Sequence, residues 1–443
     1  MGFPYIFVLF TLYMPLVKFS ASNKTPRWLI IFCLIFAGEM IFSLPFHVPR
    51  YFRVTMLEVL NMSNTEFGDA FVFYGILAMI AYFPGGMIAD RYSPRKLITF
   101  SLIATALGGV YFATFPGQLG LVFLFGYWGI TTVFLLWGAL IRATREWGGT
   151  LAQGKAFGLL DGGRGLVSAA VASAAVAILA WVMPESMDSI TEGKRMVAMR
   201  SVIYFYSLVT FAAALLSWMF IPESKQAEEK FRVGIISGLK YVIGSRVVWL
   251  QAIIVVCAYV GYKGLDYYTT YAVDILGMHE VSAARYMSNA AYLRALSAVG
   301  AGFLADRITS IRVVGIAFTL ALLCYLILAS LHPDPEFINI IYLNLLVTFI
   351  AVYALRGVYF ALLEETRVKH AFTGTAVGLI SVVGFTPDIF FYSAGGRIID
   401  ASPGLPGFRH YFLFLAAFVF LGMISVLLLK FSSSSDSNDA PPR

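Results

Sequence analysis

Charged residues are scarce in this chain. Asp, Glu, Lys and Arg make up 13% of its 443 residues, whereas a soluble domain carries roughly 25%. Five histidines occur without metal-ligand spacing, and all three cysteines lie in apolar stretches, which argues against a metal centre or a disulfide framework. No glycine-rich phosphate loop precedes a Lys-Ser or Lys-Thr pair, so the chain encodes no ATP-driven motor. We expect no cofactor, no catalytic residue and no enzymatic activity.

Apolar residues are correspondingly abundant. They make up 59% of the chain, and the mean hydropathy is +0.79. Several runs reach the roughly 20 apolar residues that span a membrane, and they are continuous rather than alternating, which predicts helices and not a barrel. We predict an all-α polytopic membrane protein with twelve transmembrane helices, six between residues 28 and 221 and six between 247 and 430.

Three further stretches complete the predicted domain organisation. Residues 1–27 form an N-terminal extension, which is either an interfacial segment or a misread start upstream of Met14. Residues 222–246 form a charged linker between two six-helix bundles. Residues 431–443 carry a serine-rich run with nothing to bury, so we expect a disordered tail.

The chain contains an internal repeat. Gly86-Met-Ile-Ala-Asp90-Arg91 returns as Gly302-Phe-Leu-Ala-Asp306-Arg307, 216 residues later. At the same ungapped offset, residues 57–62 align with 273–278. A duplicated membrane unit explains both matches, so we predict two pseudo-symmetric bundles.

Basic residues in the short loops set the expected orientation. The loop after the second predicted helix, the loop after the fourth and the linker carry most of them, and all three fall on one side if the helices alternate. Positive loops are typically cytoplasmic, so we expect both ends of the helical core in the cytoplasm and the protein in the cell (inner or plasma) membrane. The net charge of +7 is spread over these loops, which argues against a nucleic-acid partner.

The repeated loop resembles the signature of the major facilitator superfamily. Its first copy reads Gly-x-x-x-Asp-Arg-x-x-x-Arg-Lys, with Ser93 where a glycine is usual, and its second copy has Ile311 at a usually basic position. The resemblance implies two rocking bundles and gradient-driven transport. We predict that the repeated loops form a cytoplasmic latch, although they could also be charge clusters that only set topology. The latch residues are Gly86, Asp90, Arg91, Arg95, Lys96, Gly302, Asp306 and Arg307.

Charges within apolar helices are candidate site residues, because a charge in a membrane is costly unless it meets a partner or water. The offset of 216 places His47 on Lys263 and Arg50 on Asp266. Since two-fold-related helices face a shared central site, we predict an anion clamp of His47 and Lys263 beside an Arg50–Asp266 ion pair. The alternative is that His47 and Lys263 snorkel to the membrane surface. Tyr267 and Arg356 complete the predicted substrate-binding set.

Two residues of the first predicted helix are candidate proton carriers. His47 has a pKa near working pH as a free side chain, and Glu39 lies in the middle of the helix. Glu39 could equally be a neutral buried acid that is hydrogen-bonded to a neighbour. This arrangement, with one basic residue in the first helix and one in the seventh, also resembles that of the organophosphate:phosphate antiporters. Two arginines would, however, bind a phosphate better than His and Lys do.

These features favour a secondary active transporter of a small polar, anionic organic solute, such as an organophosphate or a sugar acid. We expect H⁺ or phosphate as the coupled ion, the lipid bilayer as surroundings and a monomeric state. A transporter-like solute receptor and a proton-coupled drug or lipid exporter are the alternatives. The short loops offer no output segment for a receptor, and the many charges within helices do not suit an apolar export cavity.

Overall fold

The computed structural model describes residues 25–149, 153–183, 191–223, 240, 242–365 and 373–438. Within these ranges the chain is helical and contains no strand. Residues 1–24 of the predicted extension, most of the linker and residues 439–443 of the predicted tail lie outside the described residues.

Six spans form the first half of the molecule. They are span 1 (Arg27–Met40, Ser43–His47, Val48–Tyr51 and Arg53–Leu60), span 2 (Asn64–Arg91), span 3 (Pro94–Phe112), span 4 (Gln118–Gly129, Ile130–Trp137 and Gly138–Gly148), span 5 (Gln153–Val182) and span 6 (Glu192–Phe220).

Six further spans form the second half. They are span 7 (Arg246–Gly264, Leu265–Tyr267 and Tyr268–Asp274), span 8 (Glu280–Ala290 and Leu293–Ile308), span 9 (Ser310–Ser330), span 10 (Ile338–Val358 and Leu362–Glu365), span 11 (Thr373–Gly384 and Pro387–Ala401) and span 12 (Leu405–Asn438).

The predicted twelve-helix membrane fold is confirmed. In the described part of the chain, nine helices are long and apolar enough to cross a membrane, and ten are if the bent pair of span 1 counts as one. Large apolar side chains such as Phe123 and Leu208 remain exposed on the outer faces of the helices, which suits contact with lipid. The protein is an integral membrane protein.

Span 12 ends later in the chain than predicted. It continues to Asn438, eight residues beyond the expected bundle boundary at 430, so residues 431–438 are helical rather than disordered. Extending an existing helix needs only one residue to be fixed for each new hydrogen bond, and the serines that follow Phe431 do not stop this extension.

Span 1 is broken where its prolines predict a kink. The axis bends by 44° between Arg27–Met40 and Ser43–Tyr51. A proline ring clashes with the carbonyl four residues earlier, which for Pro45 is that of Ile41, and the break falls there. The next five residues, Ser43–His47, form a π-helical turn, a feature that often marks functional sites. The break and the turn together direct His47 into the interior.

Span 2 begins at a capping box that positions it against span 11. The Ser63 hydroxyl accepts from the Glu66 amide at 3.2 Å, and the Glu66 carboxylate accepts from the Ser63 amide at 2.9 Å. Gly68 and Gly75 on this helix lie directly against the backbone of Tyr392 and Asp388, where a Cβ atom would clash. Small residues permit this close approach between helices, so spans 2 and 11 join the two halves.

The two halves meet at one end of the molecule, which we call the far end (Glu58, Asn64 and Asp400). There Arg195 of span 6 pairs with Glu280 of span 8 at 2.6 Å. Asp69 of span 2 pairs with Arg397 of span 11, also at 2.6 Å.

The opposite end, which we call the latch end, carries Asp90 and Asp306. Both side chains are exposed, and a Cβ atom added at Gly86 or Gly302 would meet nothing within 4 Å. Among ion pairs between described residues, those that cross between the halves lie at the far end or midway along the spans. Ion pairs between described residues therefore hold the halves together at the far end, and none joins them at the latch end.

Candidate functional site

A cavity lies between the two halves, midway along the spans. Aromatic rings and charged side chains dominate its walls, as in many solute pockets. Its lining residues are Glu39, Phe42, Phe46 and His47 of span 1; Tyr74, Gly75, Ala78, Met79 and Tyr82 of span 2; Val133 and Trp137 of span 4; Arg164 of span 5; Tyr259, Tyr262 and Lys263 of span 7; Arg294 of span 8; Arg356 of span 10; and Phe385 and Asp388 of span 11.

Glu39 is the centre of the first charged group in this cavity. Its carboxylate accepts from His47 Nε2 at 3.2 Å, Arg164 Nε at 3.0 Å and Arg294 Nη1 at 3.2 Å. Arg294 also reaches Asp161 at 3.4 Å. Because Arg294 belongs to the second half of the chain, this group links the two halves. Two guanidinium partners favour an ionised Glu39 over the alternative of a neutral buried acid that is hydrogen-bonded to a neighbour.

Lys263 is the centre of the second charged group. Its ammonium lies 2.7 Å from the Asp388 carboxylate and 3.8 Å from the centre of the Phe46 ring. Tyr259 donates to both Asp388 oxygens at 3.1 Å. The Lys263 and His47 side chains are 1% and 3% exposed, so neither snorkels to the membrane surface. Both side chains of the predicted clamp line the cavity, and each already has an acidic partner.

Arg50 and Asp266 form the ion pair that the repeat predicts. The Tyr392 hydroxyl donates to the same Asp266 carboxylate, and Arg50 donates to the Tyr262 hydroxyl at 2.8 Å. Neither charged residue lines the cavity. One helical turn beyond His47 and Lys263 carries them toward the far end, so they hold spans 1 and 7 together there.

Tyr267 also lies outside the cavity. Its side chain is fully buried, its hydroxyl donates to the Tyr392 carbonyl at 2.8 Å, and the Arg53 guanidinium covers its ring at 4.0 Å. The helix of span 7 tightens to a 3₁₀ turn over Leu265–Tyr267, which changes the side-chain directions after Lys263. The structure therefore places Tyr267 in the packing of the far end, contrary to the sequence prediction.

Arg356 lines the cavity as predicted, but its surroundings differ from those of the other cations. Its guanidinium lies 4.1 Å from the centre of the Tyr262 ring. The Nη1 atom is buried and has no hydrogen-bond partner. No carboxylate of the described residues forms an ion pair with it.

Among the described residues, no hydrogen bond or ion pair joins the latch residues of the first loop to those of the second. The Asp90 side chain makes no hydrogen bond to a described residue, whereas its backbone carbonyl accepts from Arg142 at 3.2 Å. The helices of spans 2 and 4 approach closely at Gly85 and Gly138, where an added Cβ atom would clash, whereas a Cβ atom at Gly86 would meet nothing within 4 Å. Arg95 lies over the Trp218 ring at 4.5 Å.

Lys96 holds the start of the linker at the same end. Its ammonium donates to Glu223 at 2.7 Å, and this hydrogen bond lowers the pKa of the Glu223 carboxyl. Arg91, Asp306 and Arg307 are exposed.

Sequence reasoning missed Arg164 and Arg294 as cavity residues. Arg164 approaches the Asp161 carboxylate at 3.9 Å, but its shorter contact, at 3.0 Å, is with Glu39. The sequence feature that could have identified them is that both arginines lie within apolar helices. No group of three or more His, Cys, Asp or Glu side chains suited to a metal is present among the described residues.

Sequence comparison places the chain among known membrane proteins. The model of the Major Facilitator Superfamily matches residues 27–391. The chain is 31% identical over 432 residues to the inner membrane protein YqcE of Escherichia coli K12, covering 95% of this chain and 98% of that protein. It is 28% identical over 418 residues to the inner membrane protein YihN of the same organism, covering 91% and 96%.

Solved structures share the fold. A bacterial homolog to the human lysosomal transporter Spinster, in an inward-facing and unoccupied conformation, superposes with a TM-score of 0.71 at 15% identity, covering 94% of this chain and 99% of that chain. The nucleoside transporter NupG superposes with a TM-score of 0.67 at 12% identity, covering 91% and 98%. At these identities the likeness shows the fold alone.

Proposed function

Since the chain belongs to the major facilitator superfamily, we propose that it is a secondary active transporter of a small, polar, anionic organic solute. The charge of the central cavity carries this proposal. Arg164, Lys263, Arg294 and Arg356 line it, against the carboxylates of Glu39 and Asp388. This excess of positive charge in a low-dielectric site attracts an anion and disfavours a cation.

Alternating access is the proposed mechanism. Residues 28–221 and 247–430 would act as two bundles that rock about the cavity, with residues 222–246 as the connecting linker. The far end is closed by ion pairs and by the contact between spans 2 and 11, while no ion pair between described residues joins the halves at the latch end. Breaking the far-end contacts and closing the latch end would expose the cavity to the other side.

We place the protein in the inner membrane with its latch end in the cytoplasm. The relatives YqcE and YihN are named inner membrane proteins. The basic residues Arg91, Arg95 and Lys96 lie at the latch end, in keeping with positive loops on the cytoplasmic side. The coupled ion would be H⁺ or phosphate, and Glu39 with His47 is the pair through which a proton could act.

Uptake into proteoliposomes tests the transport function. Labelled sugar acids, sugar phosphates and neutral sugars would be supplied with a proton gradient, with internal phosphate, or with neither. We expect at least one anion to accumulate against its gradient under one of the driving conditions. Movement of neutral sugars alone, or of no solute under any condition, would contradict the proposal.

Lys263→Ala is expected to abolish anion uptake, because the cavity loses an ammonium donor and the buried Asp388 loses its partner. The double variant Lys263→Ala/Asp388→Asn removes both charges and serves as the matched control. We expect the control to recover thermal stability, since no unpaired buried charge remains, but not uptake. Uptake restored in the double variant would mean that Lys263 only neutralises Asp388, and the clamp would have to be given up.

Asp90→Asn is expected to slow uptake several-fold without changing the melting temperature of the purified protein. The Asp90 side chain makes no hydrogen bond to a described residue here, so its loss should not affect this conformation. The proposed latch forms only when this end closes, through the pairing of a carboxylate with an Arg or with amides at a helix end. Initial uptake rates would check this, and rates equal to those of the unmodified protein would remove the latch from the mechanism.

A further inference from the structure

The charges in and beside the cavity can be paired almost completely. Arg50 meets Asp266, and Lys263 meets Asp388. Arg164 and Arg294 share two carboxylates, those of Glu39 and Asp161. Four cations are thus matched by four acids. Of the cations that line the cavity, Arg356 remains, and no described carboxylate lies within ion-pair distance of it.

Arg356 is held in place without being neutralised. Its guanidinium stacks on one ring, that of Tyr262, with 4.1 Å between the guanidinium carbon and the ring centre. Arg50 contacts the same ring at 4.4 Å and donates to its hydroxyl. Tyr262 therefore fixes the position of Arg356, while the buried Nη1 atom keeps an unused donor.

The remaining charge determines what the cavity can accept. With His47 counted as neutral, the four cations that line the cavity and the three carboxylates within ion-pair distance of them, those of Glu39, Asp161 and Asp388, leave a net charge of +1. A solute with one negative charge would make the group neutral, whereas a dianion would leave an uncompensated negative charge inside the membrane. Such uncompensated charges are costly in this environment.

We propose that the transported solute carries a single net negative charge and that Arg356 receives it. A hydroxylated monocarboxylate of the sugar-acid type fits this description, and a dianionic phosphate ester does not. The inference rests on the proposed transport function and narrows its substrate class. It also assigns Arg356 as the counter-charge of the solute, while His47 and Lys263, which have acidic partners of their own, would act on the solute as hydrogen-bond donors.

Three probes of similar size separate the charge states. Gluconate is a monoanion, glucose is neutral, and glucose 6-phosphate is mainly a dianion at pH 7.5. We expect wild-type proteoliposomes to take up gluconate and to prefer it to both others. Arg356→Gln should lower gluconate uptake by about 100-fold, the usual scale for truncating one partner of a buried charge pair. Arg356→Lys keeps the charge and should retain more uptake than Arg356→Gln.

Arg409→Gln is the matched control. This arginine lies outside the cavity and contacts His332 at 2.9 Å near the protein surface, so its variant should transport gluconate at the wild-type rate. Preference of the wild type for glucose 6-phosphate would overturn the single-charge inference and leave anion transport intact. Gluconate uptake that is absent in the wild type, or unchanged in Arg356→Gln, would overturn it too. If no anion were taken up in the wider proteoliposome screen, the proposed function itself would be contradicted.

Discussion

Asp266→Ala is expected to open the far end of the protein and to reduce solute uptake strongly. The Asp266 side chain is fully buried and pairs with Arg50, whose side chain is 5% exposed. Removing the carboxylate leaves the guanidinium buried without a counter-charge, which typically costs about 3–5 kcal/mol. Opening of the far end would let water reach Arg50, so this cost applies mainly to the closed form. An energy of that size shifts a two-state equilibrium by roughly a hundredfold or more.

Distances between spin labels on spans 2 and 11 at the far end would measure this shift. The native cysteines Cys33, Cys257 and Cys324 are buried, so labels can be directed to introduced surface cysteines. We expect longer distances in Asp266→Ala than in the unmodified protein. Unchanged distances would show that the ion pair does not hold this end closed.

A charge-reversed pair provides the control. Arg50 and Asp266 are equivalent positions of the repeat, so Arg50→Asp combined with Asp266→Arg places each group where its counterpart was. The hydroxyls of Tyr262 and Tyr392 can each donate or accept a hydrogen bond, so both could serve the reversed pair. We expect the double variant to recover the short far-end distances of the closed form. The guanidinium at position 266 would, however, have different aromatic neighbours from the one at position 50.

The repeat explains why this one contact could be predicted from sequence. Spans 1 and 7 are related by the duplication, and side chains close to a two-fold axis meet their own equivalents. Arg50 and Asp266 have opposite charges at equivalent positions, and the structure joins them. The helical membrane fold could also be predicted from the sequence, because twelve long apolar stretches are compatible with few other folds.

The other contacts of the cavity have no such sequence relation. Glu39, Arg164 and Arg294 come from spans 1, 5 and 8, and no spacing connects them. The partner of Lys263 is Asp388 of span 11, and the sequence offset of 216 does not connect these two residues. Tyr267 was misplaced because the 3₁₀ turn at Leu265–Tyr267 carries no proline or other clear sequence signal. Helix packing, which decides these contacts, is not visible in the periodicity of one chain.

Glu39→Ala is expected to destabilise the protein by about 3–5 kcal/mol and to abolish transport. The Glu39 side chain is 3% exposed and accepts from two buried guanidinium groups and from His47. Without it, Arg164 and Arg294 would share only the more exposed Asp161. Thermal unfolding in detergent would detect the loss as a lower melting temperature. Glu39→Gln keeps the side-chain volume but not the charge, so we expect it to be destabilised as well.

Asp161→Ala is the matched comparison for this prediction, because Asp161 contacts the same arginines but is 44% exposed. Its loss should cost less than about 1 kcal/mol, as solvent screens the pair. Arg164→Leu added to Glu39→Ala should recover part of the stability, since one unpaired buried charge is then removed. Equal melting temperatures for Glu39→Ala and Asp161→Ala would show that Glu39 does not anchor the arginines. Because Arg294 comes from the second half, Glu39→Ala should also loosen the contact between the halves at the cavity.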